Sequence, residues 1–168
     1  MIWIKRILLT LLIIILGMQF FQPEVNISEG DQPSAIARRF PVSAELGAIL
    51  DQSCNDCHSN NTNYPWYAKI QPVGWWLADH IDHGKSHCNF DEFLDYPLHS
   101  QYHLFEEVRE MIERDEMPLP SYRLIHRDAI LSEESSFMIL TWSDAMRDSM
   151  RVWYPADSLV RQQSQTVH

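Results

Sequence analysis

The sequence predicts an all-α fold in which one N-terminal apolar helix precedes a helical domain. Apolar residues recur at helical spacing in four segments, and residues that cap or stop helices bound these segments. No segment shows the alternation that indicates a strand of consequence. With 168 residues, the chain is long enough for one globular domain with appendages and too short for a multidomain enzyme.

Residues 1–21 are predicted to form a signal anchor, a transmembrane helix at the start of the chain. Lys5 and Arg6 precede an apolar run over 7–21, which is the order of an export signal. Counted from Ile2, a helix here reaches about 30 Å, the thickness of the hydrocarbon core, if both basic side chains extend to the headgroups. Because no small-x-small cleavage site follows, we expect an uncleaved anchor with a cytoplasmic N-terminus and the remaining chain outside.

The rest of the chain divides into a linker, a domain and a tail. Residues 22–40 contain two prolines and a glycine without apolar periodicity, so we predict a flexible linker. The folded domain is predicted over 41–154. Residues 155–168 are predicted to form a polar C-terminal tail.

Four helices are predicted within this domain, over 44–53, 72–83, 100–116 and 133–146. Ser43 suits the N-cap of the first helix. Pro72 suits the first turn of the second, which we expect to end before Gly84. Pro118 is expected to stop the third. Two acidic residues after Ser132 favour the start of the fourth, because the helix dipole stabilises acids in the first turn.

The charge balance excludes one class of partner. Beyond residue 21 the chain carries 11 basic and 23 acidic residues. A nucleic-acid partner is therefore not expected, because phosphate binding depends on clustered Lys and Arg. The acidic residues within 106–116 are typical of a solvated helix face, but they also fit a docking surface for a basic partner protein.

The residues Cys54, Cys57 and His58 form the pattern C-x-x-C-H, which is the attachment sequence for c-type haem. The spacing has a chemical reason: two thiols bond to two vinyl groups at one edge of the porphyrin, and the adjacent imidazole is then directed at the iron. A thioredoxin-like pair would need a βαβ setting, and a zinc site would need a second Cys pair where Cys88 stands alone. A plain disulfide would not explain His58.

Met117 is the predicted sixth ligand of the iron. It follows the third predicted helix, and the prolines at 118 and 120 constrain the backbone there, so that the thioether can lie on the haem face opposite His58. Ligation by His and Met raises the reduction potential relative to ligation by two histidines. The remaining candidates have helical spacing and are predicted to be core residues: Met111, Met138, Met146 and Met150.

Three blocks of sequence surround these residues. They are 54–60, which contains C-x-x-C-H; 64–80, with Tyr-Pro-Trp-Tyr and Gly-Trp-Trp-Leu; and 116–134, with Met-Pro-Leu-Pro and Leu-Ser-Glu-Glu. Together they resemble the exported haem-binding domain family related to class I cytochrome c. The resemblance implies a cytochrome c-like helical domain around one covalently attached haem c. It makes Cys54 and Cys57 the attachment points, His58 the proximal ligand and Met117 the distal ligand.

These features predict a membrane-tethered c-type cytochrome that binds one haem and transfers electrons between redox partner proteins, without enzymatic activity. An uncleaved anchor would hold the haem domain in the periplasm at the bacterial inner membrane, whereas a cleaved signal would leave it exported and soluble. The alternative is a haem enzyme, such as a peroxidase, or a ligand sensor with a labile sixth iron ligand.

The sequence also contains a histidine cluster, an aromatic cluster and a third cysteine, whose roles are predicted as follows. His80, His83 and His87 have a spacing that can bind Zn or Cu, but the glycine after His83 argues against a continuous helix, and such histidines more often face solvent. The aromatic residues between 64 and 76 are expected to wall the porphyrin. The odd thiol of Cys88 is expected to be buried or to pair between chains.

Overall fold

The structure of the protein is a computed structural model that describes residues 2–161. Over that range it is all-α, with seven α-helices, no strand and one isolated bridge between Ile27 and Asn61. In chain order the helices are α1 Ile2–Met18, α2 Ala44–Ser53, α3 Asn55–His58, α4 Val73–His87, α5 Leu98–Glu113, α6 Pro120–Ile125 and α7 Glu133–Trp153. The all-α prediction is therefore confirmed.

The predicted helices of the domain are present, with different ends in three cases. α2 has the predicted bounds, and the Ser43 hydroxyl accepts a hydrogen bond from the Leu46 N–H, as an N-cap does. α5 ends at Glu113, short of the predicted position 116. α7 continues to Trp153, because Met146 and Met150 extend its buried face.

α4 passes through Gly84 to His87, so the expected helix end before Gly84 is wrong. Gly84 lies where α4 meets α3, and a Cβ added there would be 2.6 Å from the carbonyl oxygen of Cys57. The glycine therefore permits close approach of two backbones rather than a change of direction.

The main core lies between α2, α5 and α7. Phe40 is fully buried there, and its ring meets those of Phe93 and Phe105 edge-on at centroid distances of 5.8 and 4.9 Å. A smaller core beneath α4 contains Leu77 and Ile81. The C-x-x-C-H motif, which begins just before α3, lies between these two cores, because Cys54 packs against the first and Cys57 against the second.

The predicted linker and tail both contribute to the main core. Ile36 and Phe40 are buried in it, so residues 22–40 are not a free tether. Leu159 is also buried in it, which differs from the polar tail predicted from 155 onward; residues 162–168 lie outside the described range. Isolated apolar residues anchor both stretches in the core. Such residues produce no periodic pattern, so the sequence did not indicate their burial.

α1 has 17 residues, none of them buried. None of the helices within residues 2–161 combines the length and the apolar character needed to span a membrane.

Candidate functional site

Cys54, Cys57, His58 and Met117 line one cavity of about 430 Å³. A second cavity of about 150 Å³ shares Cys54, His58 and Met117 with the first. The rest of the second lining is mainly apolar and includes Leu50, Phe90, Leu104, Val108, Ile112 and Ile139. The larger volume falls within the usual range for a cofactor pocket, about 300–1,000 Å³.

A single helical turn brings the three motif residues together. α2 ends at Ser53, and the Cys54 carbonyl oxygen then accepts hydrogen bonds from the N–H groups of Cys57 and His58, at 3.1 and 3.0 Å. Residues three apart on a turn lie on the same face. The two cysteines therefore face the cavity together, with His58 beside them.

His58 is oriented by a hydrogen bond from its own ring. Its Nδ1 lies 2.8 Å from the carbonyl oxygen of Cys88, and because a carbonyl oxygen only accepts, Nδ1 carries the proton. Nε2 then has a free lone pair for a metal, the arrangement found in metal-ligating histidines. Burial lowers the pKa of His58, so the imidazole is neutral at neutral pH.

All three cysteines are free thiols. Burial raises the pKa of Cys54 to about 12 and that of Cys57 to about 11, so both thiols are protonated at neutral pH. Cys88 is buried, and burial raises its pKa to about 12. It does not line the larger cavity, and its carbonyl orients His58.

Met117 lies between α5 and α6, on a segment that is joined to α3 through Tyr122. The Tyr122 hydroxyl donates a 2.6 Å hydrogen bond to Oδ2 of Asp56, the residue before Cys57. The Tyr122 ring stacks on His126 at 4.2 Å. The sequence patterns did not identify Asp56 or Tyr122 as functional residues; only their positions within the first and third blocks indicated a role.

His80, His83 and His87 also line the larger cavity. The Nδ1 atoms of His80 and His83 lie 2.8 and 2.7 Å from backbone carbonyl oxygens one turn earlier, so Nε2 of each ring is free. Among residues 2–161 no group of three or more His, Cys, Asp or Glu side chains is arranged to hold a metal ion. The Zn or Cu site considered from the spacing is therefore not found there.

The aromatic block does not form the expected wall. Trp66, Trp75 and Trp76 are exposed and line neither cavity. Within the described chain, the apolar wall is formed instead by side chains of the main core.

The residues present fit one haem c. Two free thiols on one turn and an imidazole with a free Nε2 are the groups that covalent haem attachment uses, and a thioether is one of the side chains that can bind the iron at its sixth position. All four line the same cavity, and the neighbouring apolar lining suits a large apolar ring.

The family model for haem-binding domains matches residues 13–145, which include all four of these residues. A search of curated proteins and a search of solved structures found no match. The family implies a haem cofactor. Because the match covers well over half of the chain, the protein belongs to the haem-binding domain family.

Proposed function

We propose that the protein is a membrane-tethered periplasmic cytochrome that binds one haem c and transfers electrons between redox partner proteins. In this proposal Cys54 and Cys57 attach the haem, while His58 and Met117 bind the iron. Bound haem supplies one-electron chemistry, because its iron changes between the ferrous and ferric states.

The observation that carries the proposal is that His58 and Met117 line the same two cavities. If both side chains bind the iron, its charge can change without gain or loss of a ligand, which suits a carrier and excludes substrates. The apolar lining from the main core limits solvent access, and solvent access is one of the determinants of reduction potential.

The tether in this proposal is the run of residues 2–21, of which α1 forms the first 17 residues; α1 alone is too short to span the hydrocarbon core of a bilayer. Its side chains are not buried in the domain, and Lys5 and Arg6 at its start fit a cytoplasmic end. The haem domain would then lie on the opposite side of the membrane, in the periplasm.

A basic redox partner is proposed from the formal net charge of −10. On α5, Glu106, Glu110 and Glu113 are paired with arginines of the chain itself. Steering of the partner would therefore depend on the field of the whole domain rather than on this helix face alone.

A haem enzyme or ligand sensor with a labile sixth ligand is the second candidate. It is favoured by His80 and His83, whose free Nε2 atoms belong to side chains of the same cavity and can compete with Met117.

A visible absorption spectrum of the protein, matured with its haem, distinguishes the two candidates. The carrier predicts low-spin iron and a spectrum that CO does not change. High-spin iron or rapid CO binding would contradict the carrier and support the second candidate.

A further inference from the structure

Residues 19–22, which follow α1, are joined to Gln71 just before α4 and to Trp75 in the first turn of α4. The Gln19 side chain accepts a hydrogen bond from the Gln71 N–H at 3.0 Å and donates one to the Gln71 carbonyl at 3.1 Å. The Gln71 side chain donates to Gln22 at 3.0 Å. The indole N–H of Trp75 donates to the Phe21 carbonyl at 2.6 Å. These contacts hold α1 and the domain in one relative arrangement.

Both joined segments present large apolar side chains to solvent. On 19–22 these are Phe20 and Phe21, and on 66–76 they are Trp66, Ile70, Val73, Trp75 and Trp76. Trp66 is 80% exposed. Exposed apolar residues that are concentrated on adjoining segments indicate an interaction surface.

The charge of these segments differs from that of the rest of the chain. Residues 57–78 contain no acidic residue and one lysine, Lys69, and residues 7–23 contain no charged residue, although the whole chain has 23 acidic residues. This part of the domain therefore lacks the negative charge that would repel an anionic lipid surface.

We propose that segments 19–22 and 66–76 form one surface that rests in the headgroup layer of a lipid bilayer; the inference rests on the proposed tether, residues 2–21. Tryptophan favours this layer, because its ring is apolar and its N–H is polar. Phe20 and Phe21 extend the apolar run of α1 and are placed in the same headgroup layer by this proposal. The surface holds the start of α4 at the membrane and so fixes the orientation of the haem domain.

Hydroxyl-radical footprinting tests this surface on the full chain with its haem. The protein is incorporated into vesicles of phosphatidylcholine and phosphatidylglycerol, the vesicles are collected by flotation, and oxidation is read by mass spectrometry. Trp66 is expected to react several-fold more slowly than Trp153, although Trp66 is 80% exposed and Trp153 only 44%. Phe137, which is 69% exposed on α7, should remain reactive as a control.

A variant with Gln19→Ala and Gln22→Ala supplies the matched comparison. It should still float with the vesicles but lose much of the protection of Trp66, because three of the four hydrogen bonds described above are removed and only the one from Trp75 to the Phe21 carbonyl remains. If the unaltered chain floats with the vesicles but Trp66 reacts fully, the proposed membrane surface is wrong, while the proposed tether is unaffected. Failure to float would overturn both, while the haem assignment is judged separately from the visible spectrum of the same sample.

Discussion

The hydroxyl of Tyr122 lies 2.6 Å from Oδ2 of Asp56. This hydrogen bond joins α6, which follows the Met117 segment, to α3, which carries Cys57 and His58. Burial, together with the hydrogen bond to Asp56, raises the pKa of Tyr122, so its hydroxyl stays a donor at neutral pH. The two sides of the proposed haem site are thus connected by a direct contact.

Replacing Tyr122 with Phe should loosen the Met117 segment. A hydrogen bond to a charged group contributes about 1.5–3 kcal/mol, so we expect a lower free energy of unfolding by about that amount and partial access of CO to the iron. Both are measurable on the matured protein, by denaturant titration and by visible spectroscopy. Tyr154→Phe, at the far end of α7, is the control and should leave CO access unchanged; equal CO binding by both variants would count against the contact.

Replacing Gly84 with Ala should disturb the haem-attachment turn. The added Cβ would lie 2.6 Å from the Cys57 carbonyl oxygen, and overpacking of this kind costs about 1–3 kcal/mol. We expect a lower melting temperature and less covalently attached haem after expression with maturation machinery.

Gly47→Ala is the matched control within α2. Its Cβ would have one neighbour, at 3.8 Å, so the helix should gain about 0.5–1 kcal/mol with unchanged haem content. A Gly84→Ala protein as stable and as fully loaded as Gly47→Ala would disprove the close approach of α4 to α3.

Covalent attachment depends on both thiols in this account. Cys54→Ala or Cys57→Ala should weaken retention of haem on a denaturing gel, because each removes one of two bonds to the porphyrin. Cys88→Ala should retain haem fully, since Cys88 lies outside the C-x-x-C-H motif and lines only the smaller cavity. Undiminished retention in both single variants of the motif would be incompatible with attachment through these thiols.

Phe40 tests whether the segment before the domain is part of its core. The side chain is fully buried, and truncation of a buried phenylalanine costs about 3–5 kcal/mol. Phe40→Ala should therefore lower the urea midpoint strongly, whereas Phe137→Ala on the exposed face of α7 should change it little. Similar urea midpoints for both variants would instead support the prediction that residues 22–40 form a flexible linker.

Sequence patterns predicted the long helices of the domain because burial of one helix face leaves a periodic pattern of apolar residues, such as Leu46 and Leu50 in α2. Cys54, Cys57 and His58 could also be predicted, because C-x-x-C-H is a local chemical requirement. Ligation by Met117 was inferred from the prolines that follow it and stays a prediction. Features of the structure that depend on a tertiary contact could not be predicted from local sequence patterns. The Asp56–Tyr122 hydrogen bond spans 66 positions, and the reason for Gly84 is a backbone on another helix.

The aromatic block shows the same limit in a different way. Its residue types suit a haem wall and a membrane surface equally well, and only their positions in the fold distinguish the two. Trp66 faces solvent, and the indole N–H of Trp75 donates a hydrogen bond to the carbonyl of Phe21, three residues beyond α1.

The most direct test of the account is the sulfur-to-iron charge-transfer band of the ferric protein, recorded for the unaltered chain, for Met117→Ala and for Met111→Ala. Met117 lines the larger cavity, whereas Met111 lines only the smaller one. We predict that Met117→Ala loses the band and has a lower reduction potential, because the thioether ligand raises the potential, whereas Met111→Ala keeps both. A Met117→Ala protein with an unchanged band and potential would contradict ligation by Met117 and transfer the assignment to another side chain of the cavity.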